Sequence, residues 1–139
     1  MLEFMDCRTM EDYLGTFSTA SEGFVPERIG HNIPMSVIHS YMKTGGKKNV
    51  AESMAYNLIC KSLPDVEYVI GYIRGDTETR CHEYQHAKYF FSKEYRDQVQ
   101  KRWESLAPKI RMKYTLQLKE WGYSDEVLVD EYQAYWGGT

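Results

Sequence analysis

Apolar and polar positions recur along this chain with two different periods. From Pro34 to Met42, apolar residues fall at Met35, Val37, Ile38, Tyr41 and Met42, which predicts a helix that Gly45-Gly46 ends. Asn49 is placed to cap a second helix running to Lys61, with Val50, Met54, Ala55, Leu58 and Ile59 as its stripe. Pro64-Asp65 breaks that pattern. Val66 to Ile73 is then rich in β-branched and aromatic residues and predicts the best strand of the chain. A turn at Arg74 to Thr77 leads into a helix from about Glu78 or Thr79 to Phe91. Ser92 caps a helix over Lys93 to Leu106, whose inner stripe is Tyr95, Val99 and Trp103. Pro108 suits the start of the next, which Gly122 ends, and Ser124 caps a last helix from Asp125 to Trp136. Before Pro34 the pattern is weaker: Met10 to Phe17 reads as a short helix, and the breakers at Gly23 to Pro26 and Gly30 to Pro34 predict loop.

These elements predict an α+β fold: a small, mostly helical domain spanning 1–139, with one short sheet whose edge strand, Val66 to Ile73, precedes the helix to Phe91. With 139 residues, 42% of them hydrophobic, the chain can hold one core without metal or disulfide staples. Only 4 Pro and 10 Gly, against many aromatics, exclude a disordered or fibrous chain. No apolar run approaches the roughly 18 to 20 residues that span a bilayer, so no membrane partner is expected. Met1 to Met10 lacks a continuous apolar stretch, and the 3 cysteines, Cys7, Cys60 and Cys81, form an odd set without CxxC. A reducing, cytoplasmic location is expected. The net charge of −3 conceals a local imbalance: residues 88–120 hold nine Lys/Arg against four Asp/Glu, and residues 121–139 hold four acids and no base. Because the basic residues alternate with residues of core type, they read as solvated helix faces, and nucleic acid is not the expected partner.

One string carries chemistry: Cys81-His82-Glu83-Tyr84-Gln85-His86-Ala87, which contains HExxH. On a helix His82 and His86 lie one turn apart and face the same way, so both imidazoles can share one Zn²⁺. Glu83 falls about 100° around, where its carboxylate can accept a proton from zinc-bound water and return it to a leaving amine. The segment resembles the zincin superfamily of zinc metallopeptidases. A strand and turn precede the motif, Tyr84 and Gln85 between the histidines are uncharged, and Thr79 stands three residues before the first histidine, all as in zincins; Arg80 and Lys88 depart from the extended pattern. The resemblance implies one Zn²⁺ per chain, a peptide or protein substrate lying extended along the preceding strand, and Glu83 as general base and acid.

A catalytic zinc needs a third protein ligand. The 4 histidines are His31, His39, His82 and His86, so none follows the motif; the metzincin spacing meets Tyr89 and Ser92, and SprT-like proteases, which also take a downstream histidine, are disfavoured. A carboxylate remains, the gluzincin or aspzincin solution. Glu131 has apolar residues at all four helical neighbours, Val127, Leu128, Ala134 and Tyr135, and is the third ligand by this reasoning. The alternatives are another acid (Asp130, Asp97 or Glu94) and a Glu131 that merely pairs with a basic side chain. Asp130 is either an acceptor for a ligand histidine or a solvated residue. Tyr135, one turn beyond Glu131, is the candidate donor to the oxyanion, ahead of Tyr132 and His39, against core packing for any of these tyrosines. Cys81 reads as a small buried residue that packs the helix, Arg74-Gly75-Asp76 as an ordinary turn, and Thr44 to Lys48 lacks phosphate-loop spacing.

The expected function is therefore a zinc-dependent metallopeptidase with metal ligands His82, His86 and Glu131 and catalytic residues Glu83 and Tyr135. The alternative is a non-catalytic binding module, with a structural zinc or none, whose basic 88–120 surface contacts nucleic acid or an acidic partner. Hydrolysis of a non-peptide bond is a third.

Overall fold

The computed structural model describes residues 2–4, 30–43, 53, 56, 57, 60, 61, 64–72 and 75–137. Expectations for Met10 to Phe17, Gly23 to Pro26, Thr44 to Lys48 and Cys7 lie outside these residues. Of the helix expected to end at Lys61, the described Ser53, Tyr56, Asn57, Cys60 and Lys61 are helical. Backbone contacts divide the chain into two compact units, Met1–Glu83 and Tyr84–Thr139, and the division falls inside a helix.

In the first unit three strands form one sheet: β1 (Leu2–Phe4), β2 (Gly30–Pro34) and β3 (Tyr68–Tyr72), in the order β1-β3-β2. The α+β class holds, with the strand read from the sequence standing before the HExxH helix. Its place in the sheet is different. β3 is central, with β1 parallel on one side and β2 antiparallel on the other, Gly30 facing Tyr72 and Pro34 facing Tyr68. All five of its residues are buried, so both faces of the strand are covered. The segment Gly30–Pro34, expected as loop, is an edge strand instead. Pro34 is tolerated because it ends the strand, where a missing N–H removes little from the ladder. Helix α1 (Met35–Lys43) follows at once, its first N–H donating to Glu67 O at 2.8 Å. Ile33, Met35, Ile38 and Val69 form the core here, extended by Val37, Met42, Tyr56, Cys60 and Val66.

Helix α2 (Thr77–Phe91) carries the motif. Asp76 starts it by accepting the Thr79 N–H at 3.0 Å and the Thr79 hydroxyl at 2.7 Å, bonds that hold the Asp76 carboxyl below its ordinary value. Gly75 precedes it with φ +89°, a turn conformation that side chains resist.

In the second unit, α3 (Lys93–Ser105) begins at Ser92, whose hydroxyl accepts the Tyr95 N–H at 3.1 Å. Helix α4 (Pro108–Glu120) has proline in its first turn and ends in a Schellman turn: Gly122 sits at φ +97°, the Tyr123 N–H donates to Leu118 O at 3.1 Å and the Gly122 N–H to Lys119 O at 3.0 Å. The continuous helix expected from Asp125 to Trp136 is instead three short windings: a 3₁₀ turn (Asp125–Val127), helix α5 (Leu128–Tyr132) and a π turn (Gln133–Gly137). Ser124 makes no capping bond. The buried side chains of this segment, described below, are tied to neighbouring helices at several points, and the winding changes between those ties. Its core is Leu118, Leu128 and Tyr132, packed with Trp103, Leu106, Tyr114, Tyr123 and Trp136.

The basic side chains of 88–120 are largely engaged within this unit. Arg96 donates to Tyr89 O and Phe90 O at the end of α2, Arg102 to Gly137 O, and Lys119 pairs with Asp125. Among the described residues no helix is long and apolar enough to cross a membrane.

Candidate metal centre

The site is built on α2 and α5. His82 and His86 stand one turn apart on α2, His82 half-buried and His86 only 1% exposed. Glu131 lies in α5, 3% exposed, between the core residues Leu128 and Tyr132. Each of the three offers one ligand atom, and these atoms lie within 4.8 Å of one another. Among the described residues no other group of three His, Cys, Asp or Glu is so arranged. Glu94 and Asp97, the alternatives on α3, are exposed, and Asp97 pairs with Lys93 at 2.8 Å.

His86 is oriented from both of its nitrogens. Its Nδ1–H donates to Asp130 Oδ1 at 2.9 Å, which leaves Nε2 to face Glu131 Oε1 at 3.4 Å. That second distance is long for a strong hydrogen bond. It is close to what two ligands of one tetrahedral zinc require, since bonds of about 2.0–2.2 Å at the tetrahedral angle separate the donor atoms by roughly 3.4 Å. The donor set, two imidazoles and a carboxylate with the second nitrogen of one imidazole fixed by a further carboxylate, could hold a divalent metal ion such as zinc. Without metal, burial pushes the His86 pKa down, but Asp130 and Glu131 outweigh it and hold the imidazole well above its usual 6.5. The imidazolium then balances part of the two carboxylates' charge, a task a divalent cation performs in full once the proton leaves.

Asp130 is itself held. Gln133, with no exposed surface, donates from Nε2 to Asp130 Oδ1 at 2.9 Å and to the Gln85 carbonyl at 3.1 Å, and accepts the Tyr95 hydroxyl on Oε1 at 2.8 Å. A buried amide with this many partners fixes its own orientation, and with it the oxygen that receives His86. Sequence reasoning missed Gln133. The only signal available was a polar residue flanked by Tyr132 and Ala134 three positions after Asp130.

Glu83 is 4% exposed and accepts the Asn32 side-chain amide on Oε2 at 2.8 Å. Asn32 in turn accepts the Tyr68 hydroxyl on Oδ1 at 2.8 Å. Gly30 packs so closely that a Cβ there would overlap Glu83 Oε1 and come within 2.6 Å of Thr79 Cγ2. Neither Asn32 nor Tyr68 was legible as a partner, because Gly30 to Pro34 read as loop.

Other expectations fall differently. Cys81 is exposed, not buried. Tyr132 belongs to the core, 7% exposed, its ring 5.0 Å from Trp103 and 5.3 Å from Tyr114. His39 Nδ1 lies 2.7 Å from the Tyr56 hydroxyl, in the first unit. Tyr135 is 42% exposed, with its hydroxyl 2.8 Å from that of Tyr123 and its ring against Trp121 and Trp136. No protein-family model matches the chain, and no curated protein or solved structure is significantly similar to it.

Proposed function

We propose that the chain is a zinc-dependent metallopeptidase with His82, His86 and Glu131 as metal ligands and Glu83 as general base and acid. The observation that carries this reading is the setting of His86: a buried imidazole with Asp130 on Nδ1 and Glu131 3.4 Å from Nε2, on the helix that also presents His82. A zinc ion held by His82, His86 and Glu131 would supply a Lewis acid for the scissile carbonyl and lower the pKa of a bound water toward ~7. Asp130 keeps a His86 proton on Nδ1, so that the Nε2 lone pair is the one that would bind the metal. Glu83 takes a proton from the attacking water and later delivers it to the leaving amine. Substrate lies extended along β2, which among the described strands is the edge beside Glu83, whereas β3 has a neighbour on each side.

Purified protein is expected to carry close to one zinc per chain, lost in both His82→Ala and His86→Ala. Glu83→Gln keeps the zinc and lowers hydrolysis of an unstructured protein substrate by ~10²–10⁴-fold. Wild-type protein without stoichiometric zinc, or a Glu83→Gln variant as active as wild type, overturns the reading.

A further inference from the structure

Glu83 is the one residue in the proposed reaction that must move a proton without being fixed by a metal, so its carboxylate has to be aimed by the protein. Two contacts in the first unit do this. The Asn32 amide donates to Oε2 at 2.8 Å, and Oε1 occupies the space left by the missing Cβ of Gly30. The direction of the Asn32 amide is itself determined. Tyr68, 3% exposed, places its hydroxyl 2.8 Å from one end of the amide, and the opposite end must then face a carboxylate that only accepts; a flipped amide would turn its oxygen on Glu83. The sheet explains why these groups meet. Asn32 pairs with Ile70, and Tyr68 lies two residues along β3 on the same face, a diagonal that a tyrosine side chain can reach. Gly30, two residues before Asn32 on β2, presents the same face to Glu83.

We propose that Asn32 is a positioning residue for Glu83, with Tyr68 fixing the amide that does the positioning. This rests on the metallopeptidase reading above. The interaction is made by β2, so the strand proposed to align the substrate also aims the base, and both are set by one backbone segment.

The test is a double-mutant cycle on the zinc-loaded chain with an unstructured peptide substrate. Asn32→Ala is expected to lower kcat by ~10–100-fold, because a displacement of about 1 Å at the reacting groups costs on that order. KM should stay within about twofold and zinc content near one per chain, with the visible spectrum of the cobalt-substituted protein unchanged. Tyr68→Phe, which keeps the ring and removes only the hydroxyl, should lower kcat by a smaller factor in the same direction. In the Glu83→Gln background Asn32→Ala should lower the residual rate no further, since the carboxylate it aims is gone. Should Asn32→Ala fail to fold, Tyr68→Phe with and without Glu83→Gln decides the matter. An unchanged kcat in an active wild-type framework overturns this role alone. An equal loss in the Glu83→Gln background also overturns it, by making Asn32 a structural residue. A zinc-loaded wild type that hydrolyses no peptide removes the metallopeptidase reading, and this role with it.

Discussion

Removing Asp130 tests the orientation of His86 directly. In Asp130→Ala the His86 Nδ1–H, on a side chain 1% exposed, loses its acceptor at 2.9 Å, and Gln133 loses one of its two. A carboxylate behind a zinc histidine typically contributes 10–100-fold to metal affinity, so the alanine variant should bind zinc ~100-fold more weakly, about 2.8 kcal/mol. Asp130→Asn keeps an oxygen that can accept both bonds and loses only the charge. Because charged acceptors are about twice as strong as neutral ones, roughly half of that energy should remain, a loss of ~10-fold. Competition with a chromophoric chelator measures both, and it should be done at about pH 8, where protons compete for His86 less than at neutral pH. At lower pH the gap narrows, since Asp130 also helps to hold the proton that zinc must displace. An alanine variant within twofold of wild type, or an asparagine variant weaker than alanine, refutes the reasoning.

Two further outcomes follow from the same geometry. In the metal-free chain the folded-state pKa of His86 lies above its ordinary 6.5, so its contribution to stability is fully present below about pH 6.5 and is lost as pH rises through the folded value. Urea unfolding of metal-free protein across that range should show a decline that His86→Gln removes; parallel profiles for the two proteins would contradict the proposed pairing. Gly30→Ala meets no backbone obstacle, since Gly30 is not among the glycines with positive φ, but its Cβ overlaps Glu83 Oε1 and approaches Thr79 Cγ2 to 2.6 Å. Stability should fall by about 1–3 kcal/mol and hydrolysis at least ~10-fold while zinc stays bound, as read by thermal melting, kinetics and metal analysis together.

The parts of this fold that are legible in the sequence are those decided by chemistry a few residues away. Ser92, Pro108 and Gly122 mark helix ends through bonds or torsions within one turn of themselves, and the structure has helix ends at each. β2 is not of that kind. Gly30 and Pro34 look like breakers locally, and only pairing with β3, more than thirty residues on, makes the segment a strand. Position within the sheet was illegible for the same reason: Val66 to Ile73 announces a strand but not its neighbours. At the site, the spacing of His82 and His86 is a local fact, and the burial of Glu131 is read from Val127, Leu128, Ala134 and Tyr135 around it, of which the structure buries Leu128 and exposes Tyr135. Nothing in the local pattern shows that Tyr135, 42% exposed, stands in an aromatic cluster with Trp121, Tyr123 and Trp136. Gln133 was invisible because its partners, Tyr95, Gln85 and Asp130, come from three segments.

The three windings between Asp125 and Gly137 also bear on how this chain can change. α5 is only five residues long, too short for the direction of Glu131 to be inherited from a helix begun further back. Direction is set where Leu128 and Tyr132 enter the core and where Gln133 meets Tyr95 and Gln85. The segment thus behaves as a key cut by its own side chains, and α3 and α4 serve as the cord that returns it. A single deletion between Leu128 and Gln133 would turn Glu131 by about 100° and leave the rest of the chain folded around the wrong tooth.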